Sequence, residues 1–222
     1  MERFVLDDFS TNLNFDSVVK KLLVTEEEDL RIVRSLYEEA LAIAKPKAVY
    51  KVCSVEEISG SRVRIGGAEF ESAALAKNLE GIHRVFAYVT TCGTEVDDWS
   101  HREQDYFIGL WLDMIKELIL HDTQKQFVER IQSQYHVKKT AAMNPGSGNA
   151  DVWPIAQQRQ LFDLIDGVEQ DVGVTLKESF LMLPTKSVSG ILFPSDKDYV
   201  NCALCTRADC PGRRAPYNPH IV

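Results

Sequence analysis

The chain has 222 residues, 45% of them apolar, and a formal net charge of -8; a sequence of this length can bury a core without disulfide staples. An acidic balance speaks against a nucleic-acid partner or an anionic membrane surface, since both are held by clustered Lys and Arg. No apolar run approaches the roughly 20 residues of a membrane span, and the N-terminus MERFVLDDFS carries acids where a signal peptide would be apolar, so a cytoplasmic protein is expected.

Along the chain, Thr25-Glu26-Glu27-Glu28 has the form of a capping box and predicts a helix from there to about Ala44, stopped by Pro46. Ile32, Val33, Leu36, Ala40 and Ile43 fall on one face of it. Ala48 to Ser54 and Val63 to Phe70 read as strands with a Gly-Ser turn between them. A short helix over Ser72 to Leu79 leads into a buried strand, Arg84 to Thr91. The longest helix is predicted over Glu103 to Ser133, with an apolar stripe from Phe107, Leu110, Trp111, Met114, Ile115 and Leu118 to Phe127, Val128 and Ile131, and a break near His121-Asp122. Tyr135 to Met143 is a candidate strand, Ile155 to Gly167 a helix, and Val188 to Phe193 a late strand. The order lacks regular βα alternation, which predicts a single α+β domain with a mostly antiparallel sheet and packed helices over residues 1–200, followed by a cysteine-rich tail, 201–222.

Three short segments carry candidate site residues. The turn Asn144-Pro145-Gly146-Ser147-Gly148-Asn149 permits left-handed backbone, so its amides can approach a ligand closely; the plain alternative is a loop between strand and helix. Glu178 and Ser179, on what reads as an extended segment beside Pro184, are candidates for polar contacts to a ligand ammonium or ribose, or else belong to a surface strand. Ser187-Val188-Ser189-Gly190 is small and β-prone, fit for a strand passing close beneath a bound molecule or packing tightly on a helix.

The run Leu176 to Gly190, LKESFLMLPTKSVSG, resembles the activation domain of cobalamin-dependent methionine synthase at Leu176, Glu178, Ser179, Met182, Pro184, Ser187, Val188, Ser189 and Gly190. Pro145-Gly146, Trp153-Pro154 and Gln160 to Leu164 fall where that family has its Pro-Gly turn and following helix, so the resemblance spans about residues 140 to 200. It implies a stand-alone relative of that domain, with S-adenosylmethionine held near Pro145, Gly146, Ser147, Glu178, Ser179, Ser187 and Ser189. It further implies reductive reactivation of a corrinoid, cob(II)alamin to methylcobalamin, the cobalamin being carried by a partner corrinoid protein or cobalamin-dependent methyltransferase. Homocysteine-, folate- and corrinoid-binding modules are not seen, so a complete methionine synthase is not expected. Ala142 stands where the family has an Arg for the ligand's carboxylate and Ser147 where it has a Tyr; Lys138, Lys139, Arg159 and Lys186 are the candidates to supply the charge instead.

Cys202-x-x-Cys205 with Cys210 has the spacing of a metal motif, which suggests an iron-sulfur cluster or zinc, with Cys92, Cys53, His220 or a non-protein ligand as the fourth. Arg207, Arg213 and Arg214 would depress the thiolate pKa values. The alternative is free cysteines in a tail. The motif also supports a second functional reading, an iron-sulfur or zinc accessory protein that docks to a corrinoid methyltransferase without binding S-adenosylmethionine. Cys92 by itself reads as a small core residue, and His101 and His121 as surface residues. Hydrolase, kinase and dinucleotide-binding fingerprints are not found.

Overall fold

The computed structural model describes residues 2–147, 152–196, 201–207, 209–210 and 213–218. The strands in chain order are β1 (Arg3–Leu6), β2 (Lys47–Ser59), β3 (Arg62–Ile65), β4 (Ala68–Glu71), β5 (Arg84–Thr91), β6 (Thr140–Met143), β7 (Thr175–Leu176), β8 (Met182–Leu183) and β9 (Ser187–Pro194). The helices are α1 (Phe15–Leu22), α2 (Glu27–Ile43), α3 (Ala73–Asn78), α4 (Thr94–Ser100), α5 (Tyr106–Tyr135), α6 (Gln158–Ile165) and α7 (Val168–Val172). Single 3-10 turns lie at Ile155–Gln157 and Asn201–Leu204. No helix among the described residues is long and apolar enough to cross a membrane.

The run Val85 to Thr91 is buried throughout, so β5 needs cover on both faces and on both edges. It sits inside a seven-stranded sheet ordered β4-β3-β2-β5-β9-β6, with β1 also paired to β2, and every pairing is antiparallel. This is the expected α+β architecture. Strand alternation splits the sheet's residues between two cores. On one face Val85, Ala87, Val89, Ile191 and Phe193 pack with α6 and the fully buried Trp153. On the other, Tyr50, Phe86, Tyr88 and Leu192 meet Phe127 and Ile131 from the second half of α5. The first half of α5 gathers α1, α2 and α4 around Val33, Cys92, Ile115 and Ile119.

Several elements differ from expectation. The capping box does not form: Glu26 is the N-cap of α2 and makes no side-chain cap hydrogen bond. The strand expected from Val63 to Phe70 is two strands, β3 and β4, folded on each other through Gly66 and Gly67, both at positive φ. The long helix runs through His121-Asp122 without a break, because Leu120, Thr123 and Phe127 keep it on the sheet, whereas Phe107 and Leu110 of the expected stripe are exposed. Only Thr140–Met143 of the expected 135–143 segment is strand, since helix α5 continues to Tyr135. The helix expected over 155–167 is a 3-10 turn joined to α6, which ends at Asp166 with φ 62. The domain-tail boundary at 200/201 falls in 197–200, outside the described residues.

Candidate functional site

The second half of α5 lies across the sheet beside its β6 edge, and between them opens a cleft of about 670 Å³. Its floor is apolar, from Phe127, Val128, Ala142 and Leu192; its rim carries His121, Gln124, Lys125, Glu129, Gln132 and Thr140. Tyr88 and Asn144 close one end, and the tail contributes Asn201 and Arg214. Strand order explains the placement. As the edge of the sheet, β6 leaves the side of Ala142 free to face α5, and a side chain no larger than alanine keeps that space open.

Asn144 ties the walls together. Its Nδ2 donates to the Ser189 carbonyl at 2.7 Å and to the Tyr88 hydroxyl at 3.1 Å. Its Oδ1 accepts from Asn201 Nδ2 at 2.7 Å, which seats the tail. Arg213 holds the tail's own shape by donating to the carbonyls of Cys202 (3.1 Å), Cys205 (3.1 Å) and Ala215 (3.0 Å). The buried side chains of Ala203 and Leu204 anchor it further. Burial pushes the Tyr88 phenol up, so it remains a neutral hydroxyl at the cleft end.

The expected site residues divide into three groups. Pro145 is buried, Ser147 donates its amide to the Asn144 carbonyl, and Gly146 donates its amide to Trp153, with φ 76 and a missing Cβ that would lie 2.9 Å from the Ile155 side chain. Their turn therefore fixes where β6 ends, while the neighbouring Asn144 is the residue that lines the cleft. Gly148 and Asn149 lie outside the described residues. Ser187 and Ser189 face the core side of β9: Ser187 Oγ donates to Thr91 Oγ1 at 2.9 Å and can also donate to the Pro184 carbonyl, and Ser189 is opposite Val89. Glu178 and Ser179 are exposed in the turn between β7 and β8, not on an extended segment. The segment bends there because Phe180 returns its amide to Lys177 at positive φ.

None of the four cations weighed as substitutes lines the cleft. Lys186 is paired with Asp113 at 2.8 Å, and Arg159 lies over the Phe180 ring. Sequence reasoning missed Tyr88 and Asn201, named Asn144 only as part of the turn and Arg214 only as a charge beside the cysteines, and placed His121 only on the surface.

Among the described residues no group of three His, Cys, Asp or Glu side chains is arranged to hold a metal ion. Cys53 and Cys92 are buried in separate cores, where burial pushes their thiols up to about 11 and about 12. Pro211, Gly212 and His220 lie outside the described residues. The Arg214 backbone amide, opposed by partial burial and assisted by the Arg214 guanidinium, holds the Cys202 thiol below its usual range. Alkylation by iodoacetamide near neutral pH is therefore expected at Cys202 well before Cys53 or Cys92; peptide mass mapping over a time course reads the order, and early modification of Cys92 contradicts it.

At the cleft rim, desolvation, opposed by Glu117 and assisted by Arg214, lowers the His121 pKa from its ordinary 6.5. The unfolded chain then binds a proton there more readily than the folded one, so His121 weakens the fold as pH falls below 6.5 and has no effect well above it. Urea midpoints of wild type and His121→Gln should converge at a pH of about 7.5 and separate at about 5.5, with the variant the more stable.

Fold and site together define an α+β domain with a cleft between a long helix and the edge of an antiparallel sheet. Residues 121–211 match the family model described as "Vitamin B12 dependent methionine synthase, activation domain", which bears out the likeness read from the sequence and extends it into α5 and the tail. Among solved structures, the crystal structure of the MetH reactivation domain bound to AdoHcy superposes with a TM-score of 0.61, covering 90% of this chain and 81% of that one at 14% identity; it shares the fold. No curated protein matches the chain.

Proposed function

We propose that the chain binds S-adenosylmethionine in the α5–β6–β9 cleft and takes part in the reductive reactivation of a corrinoid carried by a partner corrinoid protein or methyltransferase. One observation carries this reading: apart from Tyr88 and Arg214, every residue lining the cleft lies within the segment 121–211 that matches the activation-domain family. The fold neighbour was solved with AdoHcy, which is S-adenosylmethionine without its methyl group. A cleft of about 670 Å³ with an apolar floor and a polar rim suits a ligand that has a purine at one end and an amino acid at the other.

When bound, S-adenosylmethionine supplies an electrophilic methyl group, which together with one electron from an external reductant converts cob(II)alamin to methylcobalamin and leaves S-adenosylhomocysteine. The chain's own residues bind and orient. Phe127, Val128 and Leu192 offer apolar contact, Asn144 and Tyr88 fix the closed end, and the open rim faces the partner.

Calorimetric titration of the protein with S-adenosylmethionine tests the reading, beside Ala142→Trp, whose indole fills the floor, with circular dichroism to check that the variant is folded. Saturable binding is expected in the wild type and its loss in the variant. Absence of heat at millimolar ligand would sink the proposal.

A further inference from the structure

The cleft has three cationic side chains within reach, and they are not equivalent. Lys125 is on the rim, its side chain 73% exposed and its ammonium 3.9 Å from Glu129. His121 is held neutral at pH 7 by its lowered pKa. Arg214 alone is permanently charged and, among the described residues, has no carboxylate partner. A planar guanidinium offers a fork of donors that matches a carboxylate in two-point contact. It is brought to the cleft by a tail held on the domain at two places, Asn201 on Asn144 and Leu204 in the main core, and closed on itself by the Asn218 amide on the Ala203 carbonyl. Ala142 lines the same cleft, and its methyl group provides room and no charge.

We infer that Arg214, delivered by the folded-back C-terminal tail, is the carboxylate-binding residue of the cleft and sets its preference for ligands that carry an α-amino-acid end. The inference rests on the S-adenosylmethionine reading and adds to it a residue outside the family-matched segment. The guanidinium does here, from the tail, what neither β6 nor the lysines around it do. Arg214 is therefore a binding residue, with no part in proton transfer.

The test compares two ligands and two variants. Decarboxylated S-adenosylmethionine keeps the purine, ribose and sulfonium but lacks the carboxylate. Arg214→Gln should weaken S-adenosylmethionine by about 10- to 100-fold, the range of a hydrogen-bonded charge, and leave the decarboxylated ligand within about twofold. Arg214→Lys should recover part of the loss, since it restores charge without the fork. Equal losses for both ligands, or no loss for either, would overturn the inference while wild-type binding kept the functional reading intact. Failure of the wild type to bind S-adenosylmethionine would overturn both. Unchanged circular dichroism and urea midpoint in Arg214→Gln, expected for an exposed side chain, exclude unfolding as the cause.

Discussion

Replacing Asp97 with Ala should destabilise the protein by about 3–5 kcal/mol, the usual result of leaving a buried charge without its partner. Lys116 comes from the middle of α5 and Asp97 from α4, and their side chains are only 6% and 9% exposed. The Lys116 ammonium donates to Asp97 Oδ1 at 2.7 Å and to Ser100 Oγ at 2.8 Å, and Ser100 Oγ in turn reaches the Asp97 carbonyl at 2.7 Å. Removing the carboxylate strands the ammonium beside Cys92, Val96 and Ile115, none of which can solvate it. The double variant Asp97→Ala, Lys116→Met should regain most of the loss, because it removes both charges and returns apolar volume. Denaturant unfolding of the three proteins measures this. If Asp97→Ala shifted stability by less than about 1 kcal/mol, the pair would be no stronger than a surface ion pair.

Gly190→Ala should destabilise by the upper part of the overpacking range, about 1–3 kcal/mol, and at the same time weaken ligand binding. A Cβ at residue 190 would lie 2.6 Å from the Met143 carbonyl oxygen and 2.4 Å from Asn144 Nδ2. The first of these is backbone and cannot turn aside, so β6 must move away from β9. Asn144 must then give up its hydrogen bonds to Ser189, Tyr88 or Asn201, and the cleft loses its closed end. Gly109→Ala makes the contrasting control. It sits in the first turn of α5 with nothing within 4 Å of its added methyl, so it should stabilise by about 0.5–1 kcal/mol through lost freedom in the unfolded chain. If the two glycine variants behaved alike, contact at residue 190 would not be the cause.

Gly190 also shows how far the sequence could be read. The SVSG run was recognisable as a strand that brings something close, and it does, but the close neighbour is Asn144 rather than the hydroxyls of Ser187 and Ser189. Alternation decides this: residues 187 and 189 share a face with Val89, and 190 shares one with Tyr88. Which face meets the cleft depends on where α5 lies, and that is a long-range fact. The long helix itself was legible from its apolar spacing, yet its hydrophobic pattern has a buried Lys116 that becomes reasonable only when α4 supplies Asp97. The β3–β4 hairpin was missed although Gly66-Gly67 is a strong turn signal, because the flanking apolar residues ran together as one strand. Arg214 had been noted only as a charge near the cysteines. Its position at the cleft requires the chain to return across more than fifty residues to Asn144, which local spacing does not record.

The tail's attachment has a thermodynamic consequence. Most of the cleft's lining is part of the sheet and helix; Asn201 and Arg214 belong to a segment fastened by the Asn144–Asn201 bond and two buried side chains and held in shape by the Arg213 hydrogen bonds. Any molecule that touches both the domain and the tail joins two equilibria, and linkage requires the effect to be mutual: the factor by which a docked tail tightens the ligand is the factor by which the ligand tightens the tail. Occupancy of the cleft would therefore be reported at the C-terminus, as slower amide exchange and slower proteolysis there, before any change occurs in the core.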